Sequence, residues 1–186
     1  MDKAWLVNGL TFLFVDLFIY WRLSDPRSRE EKIKYYFSKT GISIGIFTFA
    51  FLLLNYLSGM YFPLPYSGFD EIMGLVGLLV FLLGSIICIW AKVTMGKFWN
   101  PPVEHDHKRQ NKLMKTGPFK YSRNPIYVGM IMVLAGYGLA IQSYFTFLTI
   151  IPILYFYNSV LKEEKNLEKV FKEEYLKYKR EVPRFF

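Results

Sequence analysis

The sequence nearly lacks cysteine. Its single Cys88 lies inside an apolar run, which excludes an intramolecular disulfide framework. Charge is also scarce, at 20% of 186 residues, and it is unevenly spread. Residues 40–69, 72–91 and 125–161 contain no Asp, Glu, Lys or Arg, and they run for 30, 20 and 37 positions. Three such runs exclude an ordinary soluble enzyme and a disordered chain, whereas a bilayer requires apolar runs of about 20 residues. There is no internal repeat, no low-complexity tract, no phosphate-binding glycine loop, no nucleophile elbow and no paired-carboxylate hydrolase pattern.

What is present reads as five membrane spans, at 4–21, 41–62, 72–91, 125–141 and 144–161. The last two come from one apolar run. As a single helix it would extend roughly 55 Å at about 1.5 Å per residue, against a hydrocarbon core about 30 Å thick. It must therefore fold back, and Gln142-Ser143 is the polar point at its middle. Pro152 is expected to kink the fifth span. The first span is not expected to be a cleaved signal peptide. Its N-region is weakly basic, it carries Asp16, and it runs into Tyr20-Trp21-Arg22.

The net charge of +8 could suggest nucleic acid, but its distribution gives a simpler reason. Of 23 Lys and Arg, six fall in 22–40, eight in 92–124 and eight in 162–186. One, Lys3, precedes the first span, and the segments 63–71 and 142–143 have none. Basic and bare segments alternate, as they do when Lys and Arg are kept in the cytoplasm. The expectation is an all-α integral membrane protein with about five transmembrane helices and the N-terminus outside. Residues 1–186 would form a single transmembrane domain. The loop 92–124 and the tail 158–186, the latter an amphipathic helix, would lie in the cytoplasm. No nucleic-acid or protein partner is expected, and an odd number of spans argues against two inverted transporter halves.

The cytoplasmic segments carry the patterned residues. Gly117-Pro118 reads as a turn, and Asn124-Pro125 as a helix start with Asn at the cap and Pro at the first helical position. The positive end of that helix, beside Arg123, suits a carboxylate or phosphate, or else the Arg anchors to lipid head groups. Gly129, one turn in, leaves room for a close approach to the backbone. In the tail, Leu167, Phe171, Tyr175 and Tyr178 recur at helical spacing. Glu168 to Lys172 and Glu173 to Lys177 read as ordinary i,i+4 pairs. Glu163 and Glu164 do not, because they sit where the helix leaves the bilayer. His105 and His107 alternate with Glu104 and Asp106, but too few further ligands are evident for a metal site. Asp16 is expected to pair with Arg22, and Asn55 and Asn158 to bridge helices. Gly74, Gly77, Gly84, Gly136 and Gly138 are expected to permit close helix packing.

These residues carry a resemblance. The run Gly117-Pro118-Phe119-Lys120-Tyr121-Ser122-Arg123-Asn124-Pro125-Ile126-Tyr127-Val128-Gly129 is similar to the Gly-Pro-Tyr…Arg-His/Asn-Pro-x-Tyr-x-Gly signature of the isoprenylcysteine carboxyl methyltransferase and phospholipid N-methyltransferase superfamily. Glu163-Glu164, then Phe171-Lys172-Glu173-Glu174-Tyr175-Leu176-Lys177-Tyr178 and Val182-Pro183-Arg184, resemble its Glu-Glu…Phe-Gly-x-Glu-Tyr-x-x-Tyr…Val-Pro-Arg ending. Met95-Gly96-Lys97-Phe98-Trp99 is like its Leu-Gly-x-x-Trp element. The resemblance covers about residues 95–186.

The resemblance implies an enzyme of the membrane that transfers a methyl group from S-adenosyl-L-methionine, with its site facing the cytoplasm. Carried over, the cofactor contacts fall on Asn111, Lys112, Leu113, Met114, Phe119, Asn124, Pro125, Ile126, Tyr127, Glu163 and Glu164. Glu163 is also the candidate catalytic carboxylate for an acceptor that arrives protonated, as an amine would. A Glu suits the ribose or amino group of such a cofactor, and aromatic faces suit its sulfonium. Asn111 and Asn124 stand where the isoprenylcysteine branch has histidines, and Ser159 where that branch has an Arg. The acceptor is therefore a lipid or lipid-like small molecule of open identity: a headgroup amine, a prenylcysteine carboxylate or a small thiol. Tyr157, Asn158 and Ser159 are the candidate substrate-facing residues. Two other readings remain: an NADPH-dependent sterol or isoprenoid reductase of the membrane, with a similar Arg-x-Pro-x-Tyr segment, and a membrane scaffold without catalysis.

Overall fold

The computed structural model describes residues 3–61, 65, 68–99, 112–142 and 144–185. Among them there is no strand. The helices are α1 (Lys3–Leu23), α2 (Arg29–Tyr36), α3 (Lys39–Tyr61), α4 (Asp70–Met95), α5 (Pro125–Ile141) and α6 (Ile150–Glu181). Short 3₁₀ turns cover Gly96–Phe98, Gly117–Lys120 and Tyr144–Thr149. An all-helical chain is what the charge-free runs predict. By length and composition, α4 can cross a bilayer by itself. Arg29–Tyr36 and Gly41–Leu54 qualify only together, as a pair bent by 69°, and α5 is apolar but shorter.

The chain divides into two compact units, 1–81 with 135–149, and 82–134 with 150–186. In the first unit α1, α2 and the turn Tyr144–Thr149 pack on α3. Tyr137 is fully buried there, among the rings of Phe14, Phe51 and Phe81, and its hydroxyl lies 2.7 Å from Thr11 Oγ1. Between α1 and α2 the chain turns on a buried pair, with Arg27 Nη2 2.6 Å from Asp25. The α2 start is closed by a capping box of Ser28 and Glu31. The expected Asp16–Arg22 pair is not formed. Asp16 is exposed, and the Arg22 guanidinium lies over the Tyr36 ring at 3.9 Å, so a cation–aromatic contact has taken the Arg.

The fold-back falls where the polar dipeptide predicts it. α5 ends at Ile141, and Gln142 takes a positive φ of 53°. Its side-chain amide donates to the Asp70 carbonyl. The expected fifth helix over 144–161 is altered: its first six residues are 3₁₀, and α6 continues from Ile150 through the charged tail. Pro152 causes no kink. It occupies the third position of α6, in the first turn, where no backbone N–H is needed for the helix. The break in α6 is at Lys172 instead, with φ 44° and ψ −121°.

Close helix contacts rest on glycines, as expected for Gly77, Gly84 and Gly136, where an added Cβ would collide with the backbone of a neighbouring helix. Gly129 does the same from the other side. A Cβ there would lie 2.5 Å from Cys88 Sγ and 2.7 Å from the Gly84 carbonyl, so the close approach expected at this backbone is made by α4. The residues Asn55 (its side chain), Glu104, His105, Asp106, His107, Asn111 and Ser143 lie outside what the structure describes.

Gly129→Val is expected to destabilise the protein by about 1–3 kcal/mol, the usual cost of overpacking. Gly45→Ala, where nothing lies within 4 Å of the added Cβ, should be neutral or stabilising by up to about 1 kcal/mol. Thermal unfolding of the two variants in one detergent checks both.

Candidate functional site

The second unit brings both motifs together, beginning with local turns. Gly96 takes φ +52° and lets the chain leave α4, so that Trp99 tucks in with Lys92 Nζ 4.0 Å from its ring. Gly117 takes φ +58°, and a side chain there would meet Thr94. The Gly-Pro turn is thus a glycine requirement followed by a proline in the second 3₁₀ position. At the α5 start, the Val128 N–H reaches the Asn124 carbonyl at 3.1 Å, which puts Asn124 in the cap position and Pro125 first in the helix.

Glu164 lies at that helix start. Its Oε1 accepts from Asn124 Nδ2 at 3.0 Å and is 3.1 Å from Arg123 Nε. Its Oε2 accepts from Arg184 Nε at 3.0 Å, and Arg184 Nη2 lies at the same distance. The side chains of Arg123 and Glu164 are only 7% and 5% exposed, while that of Arg184 is 33% exposed. The anion expected at the α5 N-terminus is therefore supplied by the chain itself. Burial of this carboxylate is tolerable because two N–H groups donate to it and two guanidiniums lie within ion-pair distance.

The C-terminal residues are part of the same structure. The Arg123 N–H donates to the Pro183 carbonyl at 3.0 Å, and Ser122 Oγ to the Arg184 carbonyl at 3.1 Å. Asn124 Nδ2 also reaches the Arg184 carbonyl, at 3.2 Å. The Val-Pro-Arg ending thus straps across the α5 start, and Tyr157 and Phe185 hold their rings 6.2 Å apart beside it. Below the strap, Leu113, Leu167, Tyr175, Tyr178 and Val182 form one apolar cluster with Phe171 against it. The helical stripe in the tail is therefore a packing face, as its spacing implies. Tyr178 donates its hydroxyl to the Phe119 carbonyl at 2.6 Å. Burial, with Glu164 adding to it and Arg123 opposing, pushes the Tyr178 phenol above the usual tyrosine range. Burial and then Glu164 push up the Tyr175 phenol, whose hydroxyl has no hydrogen-bond partner among the described residues.

Glu163 faces a different group. It is half-buried, and its Oε2 accepts from the Tyr127 hydroxyl at 2.8 Å. Tyr127 is buried, with Phe156 edge-on at 6.1 Å. The two carboxylates that the sequence presents as one pair have separate partners.

The remaining candidates are distributed as follows. Leu113, Met114, Phe119, Asn124, Pro125 and Ile126 are buried in this unit, and Lys112 is exposed. Tyr157 and Asn158 are exposed, whereas Ser159 is buried with its hydroxyl donated to the Tyr155 carbonyl. The i,i+4 reading of Glu168 fails, because Glu168 pairs with Lys179 at 3.2 Å across the break at Lys172. Sequence reasoning missed Arg184 as the partner of Glu164. The signal was the Val-Pro-Arg ending, but periodicity does not say what an arginine after a proline will reach.

Two predictions follow from this geometry. Glu164→Ala should cost about 3–5 kcal/mol, because it strands a buried guanidinium. Lys115→Ala should cost under about 1 kcal/mol, since its pair with Glu174 is half-exposed. Urea unfolding of the two variants tests the contrast. Tyr178→Phe should cost about 1 kcal/mol for its lost hydrogen bond, whereas Tyr175→Phe should be neutral or stabilising. Both phenols have folded values above the ordinary 10.0, so the unfolded chain releases their protons first. Their contribution to stability is present below about pH 10 and is lost as pH rises beyond it. Unfolding temperature against pH should fall above that point, and less steeply in Tyr175→Phe.

The chain is similar to known proteins over much of its length. Residues 72–174, more than half of the chain, match the family described as phospholipid methyltransferase. A protein-S-isoprenylcysteine O-methyltransferase of Xenopus laevis is 24% identical over 202 residues, covering 97% of this chain and 62% of the relative. The protein of that name from Saccharomyces cerevisiae is 29% identical over 119 residues, covering 63% of this chain and 50% of the relative. The chain thus spans between half and two thirds of the length of these curated relatives. Since the match extends over more than half of its length, this chain belongs to the phospholipid methyltransferase family.

Proposed function

We propose that the protein is an integral membrane methyltransferase. It transfers the methyl group of S-adenosyl-L-methionine to a lipophilic acceptor at the cytoplasmic face. In this reading the chain crosses the bilayer about five times as one transmembrane domain, N-terminus outside. The loop 92–124 and the tail 158–186 form the site. The alternation of basic and bare segments supports that orientation. Large exposed apolar side chains on α1, α3, α4 and the first part of α6 support lipid as their surroundings; Phe12, Phe49, Ile86 and Leu154 are among them.

The single observation that carries the reading is the Tyr127–Glu163 hydrogen bond, which joins the two family motifs through groups of the right chemistry. When bound, S-adenosyl-L-methionine supplies a methyl group activated by a sulfonium. The residues present fit such a molecule: a half-buried carboxylate, a phenol, the buried ring of Phe119 and the unpartnered Tyr175 hydroxyl offer a cation-accepting and hydrogen-bonding surface. Glu163, oriented by Tyr127, accepts hydrogen bonds from the cofactor or takes the proton of an amine acceptor. Leu113, Met114, Pro125 and Ile126 exclude water from the reacting groups, and the exposed Lys112 offers a cation at the rim. Glu164, Asn124 and Arg123 hold the α5 start, α6 and the strap in register, so they position the site. Tyr157 and Asn158, exposed near the strap, face the acceptor, while Ser159 acts through packing.

Glu163→Gln is expected to slow methylation of an amine-bearing lipid by about 100-fold or more, the usual contribution of a positioned base. Tyr127→Phe should slow it about tenfold, for one lost hydrogen bond. Transfer of radiolabelled methyl to total lipid extract measures both, and rates within threefold of the native enzyme would remove Glu163 from the reaction. Calorimetric titration with S-adenosylhomocysteine, with NADPH in parallel, tests the cofactor. Binding of NADPH alone would overturn the assignment.

A further inference from the structure

The Arg123–Glu164–Arg184 cluster has a surplus of positive charge. Two guanidiniums share one carboxylate, and among the described residues neither pairs with a second. Arg123 spends its Nη1 on the Lys179 carbonyl, which carries no net charge to offset the excess. Since Arg123 and Glu164 are buried, water screens this charge poorly. The surplus is presented at Arg184, the one member of the three with a third of its side chain open. Its Nε and Nη2 are both directed at Glu164 Oε2, which fixes the guanidinium plane and leaves Nη1 unused by that carboxylate.

The surroundings of Arg184 are apolar on one side. The Tyr157 side chain is its electrostatic neighbour, and the Phe185 ring packs on Tyr157. Along α6, Ile150, Leu154 and Tyr157 recur at i, i+4 and i+7, and all three are exposed. An apolar stripe thus runs along the helix and ends at a held cation. The molecule complementary to that arrangement is an anion on a hydrocarbon chain.

We propose that Arg184 binds an anionic group of the methyl acceptor, with the Ile150–Leu154–Tyr157 stripe seating its chain. The anion is a headgroup phosphate or a carboxylate, since both present paired oxygens to a guanidinium. This inference rests on the methyltransferase reading for the role of the ligand, but not for its binding.

The test is calorimetry on the full chain in uncharged detergent, without methyl donor. The probes are dihexanoyl phosphatidylethanolamine against dihexanoylglycerol, and farnesylcysteine against farnesol. At least one charged probe should bind tenfold or more tighter than its uncharged counterpart, and whichever pair shows it identifies phosphate or carboxylate. Arg184→Gln should erase that difference, and Arg184→Lys, which keeps the charge, should retain part of it. The proposal is overturned if charged and uncharged probes bind alike to the native chain. It is equally overturned if Arg184→Gln preserves the discrimination, or if Arg184→Lys loses as much as Arg184→Gln. Should the native chain discriminate in favour of the anion yet bind no S-adenosylhomocysteine, the methyltransferase reading fails and the anion site stands.

Discussion

The site depends on one buried carboxylate. Glu164 receives Asn124 and Arg123 on one oxygen and Arg184 on the other. Through these bonds three stretches of chain far apart in sequence, the α5 start, the middle of α6 and the last few residues, are held at fixed positions. An ion cluster of this kind adds little net stability over an apolar replacement, because desolvation offsets attraction. What it supplies is geometry. A helix start, a helix middle and a terminal strap have no shared apolar face large enough to set their register, and directional charge-assisted bonds do so instead.

That arrangement divides the labour of the adjacent glutamates. Glu164 is saturated by the protein, whereas Glu163 turns to Tyr127 and remains half-buried. On a helix, successive residues point about 100° apart, so neighbours in sequence face different surroundings. One carboxylate is held wholly by the protein, and its neighbour keeps an open side. The excess positive charge created by the first is carried to the open side by Arg184.

The strap reaches the α5 start because α6 does not stay regular. At Lys172 the backbone takes a left-handed φ, which brings Lys179 against Glu168 and places the Lys179 carbonyl on Arg123. Such a conformation is costly for a residue with a side chain and persists only where its surroundings compensate. Here the compensation comes from the cluster of Leu113, Leu167, Tyr175, Tyr178 and Val182, and from the Tyr178 bond to the Phe119 carbonyl.

Much of this was legible in one dimension. The charge-free runs dictated an all-helical chain, the polar pair at 142–143 the fold-back, and Asn124-Pro125 the start of α5, because helix length, desolvation and capping are local properties. The 3–4 spacing of Leu167, Phe171, Tyr175 and Tyr178 likewise marked a buried face. Local rules failed where a partner lay far along the chain. Glu168 left Lys172 for Lys179, and Arg22 left Asp16 for Tyr36. Pro152 was harmless because α6 begins two residues before it, and a proline's effect depends on its distance from the helix start. By itself, then, the sequence determined the helices, their apolar faces and the residue types of the site. Only the tertiary structure decided which charge meets which, since that pairing depends on distances through space that no periodicity encodes.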